Sequence, residues 1–247
     1  MLGQASLRRD LPTNSARART QDPNWKKAER EVQNAEPDLE STLKALDRQQ
    51  VSNHILRSGT RVERVLALTF DDGPHPTTTP KLLQILKDEN TVATFFVVGF
   101  MAEEHPELVW EINQNGHTVA NHSYSHATLS RMTAHEVMTE YRATNAVIKK
   151  ITGVEPRYCR PPGGKFNIGV LRVSAQLGLT TTLWTNDPAD YATSNPEILY
   201  TKLMSRLAPG CIVMLHDGPQ STINALPRFI QSAKAAGYRF VTLDELR

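Results

Sequence analysis

Residues 64–76 read RVLALTFDDGPHP. Val65, Leu66, Ala67, Leu68 and Phe70 make an apolar run, the pattern of a strand buried on both faces. The run ends on two adjacent carboxylates, Asp71 and Asp72, followed at once by a Gly-Pro turn. Two charges that close repel, and burying either one is expensive unless something positive compensates. The rest of the chain has to supply that partner, or the pair is only a polar loop.

Outward from this stretch the same unit recurs. Short apolar runs at Ala93–Val98, Thr118–Ala120, Arg157–Arg160, Thr180–Trp184, Cys211–Leu215 and Arg239–Val241 read as strands. Between them, Pro80–Glu89, Pro106–Asn115, Thr133–Thr152, Asn167–Leu177, Pro196–Leu207 and Ile223–Ala236 read as helices. Gly116, Gly153, Gly178 and Gly237 stand where helices end. Alternating strands and helices imply an α/β fold with a parallel sheet and helices outside it. Seven strands predict a closed or nearly closed barrel. No glycine-rich phosphate loop follows the first strand, which speaks against a nucleotide site.

Ahead of this unit, residues 1–22 are polar and Arg-rich without periodicity, and are expected to be a disordered basic tail. Residues 23–58 turn helical, with Leu39, Leu43 and Leu46 on one stripe and Pro37 as a break. This extension is expected to pack on the main domain, residues 59–247, or on a partner. The 247 residues carry 28 basic and 26 acidic side chains, a balance without the field that nucleic acid or an anionic membrane calls for. No run approaches the roughly 18 apolar residues of a membrane span. Met1–Asp10 lacks the apolar stretch of a secretory signal. Cys159 and Cys211 read as free buried thiols, and Trp25, Trp110, His75 and His117 as packing or turn residues.

In a barrel of this kind, function collects at the C-terminal ends of the strands. Asp71 and Asp72 follow the first strand, Asn121, His122 and His126 the third, and Arg160 ends the fourth. Asp187 and Asp190 follow the fifth, His216 and Asp217 the sixth. His122 and His126, four apart, share a face of a helical turn, and with one carboxylate they make a catalytic zinc-type set with open positions. The second carboxylate is then placed to take a proton from a water, and His216 to protonate a leaving amine from the far side. Arg160 beside Asp71 would keep that carboxylate ionised; Asp190 beside His216 would raise the imidazole. Two His and one carboxylate also suit a non-haem iron oxygenase, but that chemistry uses neither a paired Asp base nor a distal His acid.

TFDDGP, HSYSH, RPP-G, D-x-x-D-aromatic and MLHDG resemble, in order, the five motifs of the polysaccharide deacetylases, the NodB-homology domain of carbohydrate esterase family 4. The likeness spans Arg64 to Arg247. It implies a distorted (β/α) barrel that removes N-acetyl groups from aminosugar polymers outside the cytoplasm, peptidoglycan first and chitin-type oligomers second. The resemblance makes Asp71 the general base and His216 the general acid, with Arg160 orienting Asp71 and Asp190 supporting His216. It gives Asp72, His122 and His126 to a divalent metal, zinc ahead of cobalt, manganese or nickel. Leu215 and Tyr191 would hold the acetyl methyl, the backbone N–H of Gly163 the oxyanion, and Trp184 the mouth of the pocket. Gly163 stands where the family usually has Tyr, and Tyr191 where it commonly has Trp. A non-catalytic carbohydrate-binding barrel is the contrasting expectation, and it predicts the loss of at least one of these groups.

Overall fold

The computed structural model describes residues 22–35 and 48–246. The tail up to residue 21 and the Leu39, Leu43, Leu46 stripe lie outside them. Eight parallel strands form one sheet: β1 (Ile55–Leu56), β2 (Val65–Gly73), β3 (Thr94–Val97), β4 (Thr118–Asn121), β5 (Tyr158–Cys159), β6 (Thr180–Thr182), β7 (Cys211–His216) and β8 (Arg239–Val241). Their order is β1-β6-β5-β4-β3-β2-β7, with β8 paired to the start of β2. The two ends of this order are joined by the chain that leaves β6. The Leu183 N–H donates to Leu56 O, the N–H groups of Thr185 and Asn186 to Ile212 O, and the Met214 N–H to Asn186 O. A curled sheet closed by irregular backbone is the distorted barrel that the sequence predicts.

The helices are α1 (Pro23–Ala35), α2 (Arg48–Asn53), α3 (Thr79–Asp88), α4 (Gly99–Glu104), α5 (Pro106–Gln114), α6 (Ala134–Thr152), α7 (Ile168–Gln176), α8 (Pro196–Ser205), α9 (Gln220–Ala235) and α10 (Leu243–Leu246). The longest, α6, is set by local chemistry. Thr133 and Glu136 form a capping box at its start, and Gly153, at φ 76°, ends it.

The wholly helical reading of residues 23–58 needs a correction, because Ile55 and Leu56 are extended and pair in parallel with Thr181 and Thr182. Two residues carry no period, so β1 leaves no pattern to read. Trp110, expected to be a packing residue, is half exposed; α5 buries Leu108, Val109 and Ile112 instead. Trp25 is buried, as expected.

Strand alternation sorts the core into two layers. Leu66, Leu68, Phe70, Phe95, Val213 and Leu215 pack outward against helical Leu82, Leu86, Val109, Phe229 and Ile230. Val65, Ala67, Phe96, Ala120, Ile212 and Val241 fill the barrel interior, with Trp184 packed on them. Each buried Leu or Phe contributes about 1.5–3 kcal/mol. The inward column of β2 climbs from Val65 and Ala67 through Thr69 to Asp71, so it passes from oil to charge at the barrel's upper end.

Candidate active site

On a regular strand, Asp71 and Asp72 would point to opposite faces. A bulge removes that obstacle: Asp72 has φ 72°, and the pairing with β3 slips between Asp71 and Gly73. Both carboxylates therefore reach the upper rim. The turn beneath them is locked by Asp217, which accepts hydrogen bonds from Thr78 Oγ1 (2.6 Å) and the Thr79 hydroxyl, and whose N–H donates to Asp71 O (2.8 Å). Gly73 has no room for a side chain, since a Cβ there would meet Asp217 Oδ2 at 2.6 Å. Burial raises the Asp217 carboxyl, against the two threonine hydroxyls that stabilise its charge.

Asp71 has its positive partner. Its Oδ1 lies 2.5 Å from Nη1 of Arg160, and the guanidinium is fully buried. Arg160 Nη1 also donates to Thr69 Oγ1 (2.9 Å) and Nε to Thr182 O (3.2 Å), while the Phe96 ring lies 4.1 Å below the guanidinium carbon. A buried charge pair is tolerable only with such a complete set of partners.

Asp72 Oδ1 lies 3.2 Å from His122 Nε2 and 2.9 Å from His126 Nε2. These three atoms all lie within 4.8 Å of one another. Burial pushes the Asp72 carboxyl up, but the two imidazoles outweigh it and hold it well below the usual range. His122 Nδ1 is 2.7 Å from the Arg160 carbonyl oxygen, so that nitrogen donates, and in the neutral ring Nε2 carries the lone pair. Burial lowers His126, and Asp72 more than reverses it. Ser123 and His126 both have positive φ, 65° and 54°, which bends the loop so that His126 returns towards Asp72. Glu140 of α6 holds this bend, accepting from the N–H groups of Tyr124 (2.8 Å) and Ser125 (2.9 Å) and from the Ser125 hydroxyl.

On the opposite wall, His216 Nδ1 is 2.7 Å from Asp190 Oδ1. Asp190 also accepts from the His216 N–H (2.8 Å), the Tyr191 N–H (2.9 Å) and Thr222 Oγ1 (2.7 Å). Burial lowers the His216 imidazole, but the bond to Asp190 and the nearby carboxylates raise it to about 9. Tyr191 is 48% exposed and meets the His216 ring edge to face, with centroids 5.4 Å apart.

Of the remaining expected residues, Trp184 lies beside Arg160 and covers Gly164, where a Cβ would meet the indole at 2.5 Å. Gly163 is exposed at φ 61°, and among the described residues no backbone carbonyl accepts its N–H. Leu215 is the correction. It is fully buried in the outward layer against the helices, because alternation on β7 sends Ile212, Met214 and His216 inward and Leu215 out. Met214 therefore shares the face of His216. Asp187 accepts the Ala189 N–H (2.8 Å) and shapes a turn. Sequence reading missed Glu140, Thr69, Thr222 and Met214. Glu140 did leave a signal, a carboxylate on the buried stripe of α6 with Val137 and Thr144.

Residues 58–182 match the polysaccharide deacetylase family. A peptidoglycan-N-acetylglucosamine deacetylase of Bacillus cereus is 35% identical over 189 residues, covering 74% of this chain and 88% of that protein. A peptidoglycan-N-acetylmuramic acid deacetylase of Bacillus subtilis is 34% identical over 184 residues, covering 74% of this chain but 39% of that protein. Among solved structures, a carbohydrate esterase family 4 pseudoenzyme from Bacillus anthracis superposes with a TM-score of 0.74 at 29% identity, over 77% of this chain and 67% of that one.

Proposed function

Because the chain belongs to the polysaccharide deacetylase family, we propose that it is a hydrolase that removes N-acetyl groups from peptidoglycan, at N-acetylglucosamine residues, with a divalent metal, zinc foremost. The observation that carries this reading is the company the triad keeps: Asp72, His122 and His126 stand in one cup with two buried ion pairs, Asp71–Arg160 and His216–Asp190. The triad fits a cation on its own chemistry. Asp72 Oδ1 is buried with no hydrogen bond among the described residues, and the His122 Nε2 lone pair faces it at 3.2 Å. Two acceptors that close call for a positive charge between them.

A divalent ion held by these three residues would acidify a water and polarise the acetyl carbonyl. Asp71, paired with Arg160, takes the proton of the attacking water. The N–H of Gly163, which donates to no backbone carbonyl among the described residues, would bind the oxyanion. His216, held protonated by Asp190, gives its proton to the departing amine, and the carbonyl carbon leaves as acetate. Met214, on the face of His216, and Tyr191 line the acetyl side. Acting on peptidoglycan, the protein would work outside the cytoplasm.

The second reading is a non-catalytic barrel, which the likeness to a pseudoenzyme favours. Against it stands the full set of acid, base and ligand residues in this chain. Zinc-loaded protein offered peptidoglycan and chitin oligomers in parallel distinguishes them. Acetate release from peptidoglycan supports the proposal, and release from chitin oligomers alone moves the substrate. Binding to polymer without acetate gives the reading to the pseudoenzyme.

A further inference from the structure

The loop that carries His122 and His126 is pinned through its backbone by α6 and α4. Glu140 takes the N–H groups of Tyr124 and Ser125, and the N–H groups of Gly99 and Phe100 donate to Ser123 O (3.0 Å) and Tyr124 O (3.1 Å). Between the two histidines, the fully buried Tyr124 ring projects away from the cup. It rests on the Gly99 backbone, where a Cβ would approach a Tyr124 ring carbon to 2.6 Å. Its further contacts come from α1 and from Glu103 of α4. The Trp25 ring lies 5.6 Å from that of Tyr124, tilted by 43°, and is itself buried. Tyr124 Oη donates to Glu103 Oε2 (2.6 Å), and the Asn24 side-chain amide donates to Glu103 Oε1. Asp22 Oδ1 caps the start of α1, accepting the N–H groups of Asn24 (2.7 Å) and Trp25 (3.1 Å). Farther along, α1 is anchored independently of Tyr124 by Val32, buried against Leu129, Val137 and Met138.

We propose that α1, which lies outside the family-matched residues 58–182, is a brace for the metal-site loop, with Trp25 a positioning residue that acts through Tyr124 on His122 and His126. Two loop residues with positive φ, Ser123 and His126, hold a bend the free chain disfavours, and Trp25 packs on the ring of Tyr124, which lies between them. The inference rests on the metal reading above, and deepens it by giving the N-terminal helix a part in the site.

The test uses the full chain and needs no substrate. Zinc affinity is measured by competition with a chromophoric chelator, and ligand geometry by the visible spectrum of the Co2+-substituted protein. Trp25→Ala is expected to weaken zinc by about tenfold or more, as removal of an outer support to a metal ligand does, and to change the cobalt spectrum. Trp25→Phe should recover both. Val32→Ala, which loosens the same helix without touching Tyr124, should lower the melting temperature and leave both readouts as in wild type. Equal zinc loss in Val32→Ala, or a folded Trp25→Ala with wild-type affinity and spectrum, overturns the brace. If Trp25→Ala does not fold, Trp25→Leu keeps the apolar bulk, removes the aromatic face, and carries the same expectation. A wild-type chain that binds no divalent ion overturns the metal reading itself; tight wild-type binding indifferent to Trp25 overturns only the brace.

Discussion

Two buried carboxylates face the same cup, each tied to a cation, and the cations differ in what they can do. Arg160 cannot release its proton at any ordinary pH, so it gives Asp71 a permanently positive partner. His216 can, so the Asp190 pair stores a proton that can be spent on a leaving group. The surroundings follow the same division. Arg160 is fully buried, bonded to Thr69 and Thr182 and stacked on Phe96; His216 keeps 17% of its side chain open and offers Nε2 to the cup. In the proposed mechanism, one sheet thus yields a base wall and an acid wall from the same residue type by changing the partner.

The largest expected effect tests the base wall. Asp71→Asn preserves shape and removes the proton acceptor, and acetate release should fall by about 10²–10⁴-fold, the usual worth of a positioned base. Zinc affinity, measured separately, should survive, because Asp71 is not among the three ligand atoms. Near-normal turnover in that variant at saturating metal would make the Asp71–Arg160 pair structural and break the comparison.

The next effect tests the acid wall. His216 is raised to about 9, so it is protonated below that pH, and activity should fall as pH rises through it. A raised folded value also means that the pair's stabilisation is complete below the ordinary 6.5 and is lost as pH rises towards about 9. Asp190→Asn should draw both limbs to lower pH, seen in pH–rate profiles and in urea midpoints. Since Asp72 and Asp71 help to raise His216, zinc should move its NMR titration downward and a chelator should restore it. Unmoved limbs in Asp190→Asn would detach His216 from the acid role. A smaller, opposite change is Thr222→Val, which removes one of the four bonds to Asp190, Oγ1 at 2.7 Å, leaves the carboxylate charge less shared, and should move the limb slightly to higher pH.

The two walls were not equally legible. Each strand end delivers its ionisable group where an apolar run stops, so Asp71, His122, Arg160 and His216 could be read from the pattern alone. What the pattern hides is direction. Alternation makes neighbours on a strand face apart, and only the bulge at Asp72 brings both carboxylates to the rim. The same rule, applied to β7, removes Leu215 from the cup and puts Met214 on the face of His216. Supports such as Glu140 and Thr222 sit on helices far away in sequence, where nothing local names their partner. In α1 the spacing of Trp25, Ala28 and Val32 marks the buried stripe. That it ends on Tyr124 is a fact of the tertiary fold.

The smallest effect belongs to a residue on neither wall. Gly163 sits at φ 61° with open space where a Cβ would project. Gly163→Ala therefore meets no neighbour, and its cost is the left-handed backbone, about 1 kcal/mol of stability. Its N–H remains, so the oxyanion donor survives, and neither ion pair is touched. The pH profile should overlay that of wild type, while KM for the polymer changes more than kcat, because a side chain there would project into the open space beside the proposed site. Gly163→Tyr, which restores the family's usual residue, should enlarge the KM change and alter the preference between peptidoglycan and chitin oligomers. A shifted pH limb in either variant would join this loop to the acid–base walls, and the division between fixed chemistry and adjustable rim would have to be redrawn.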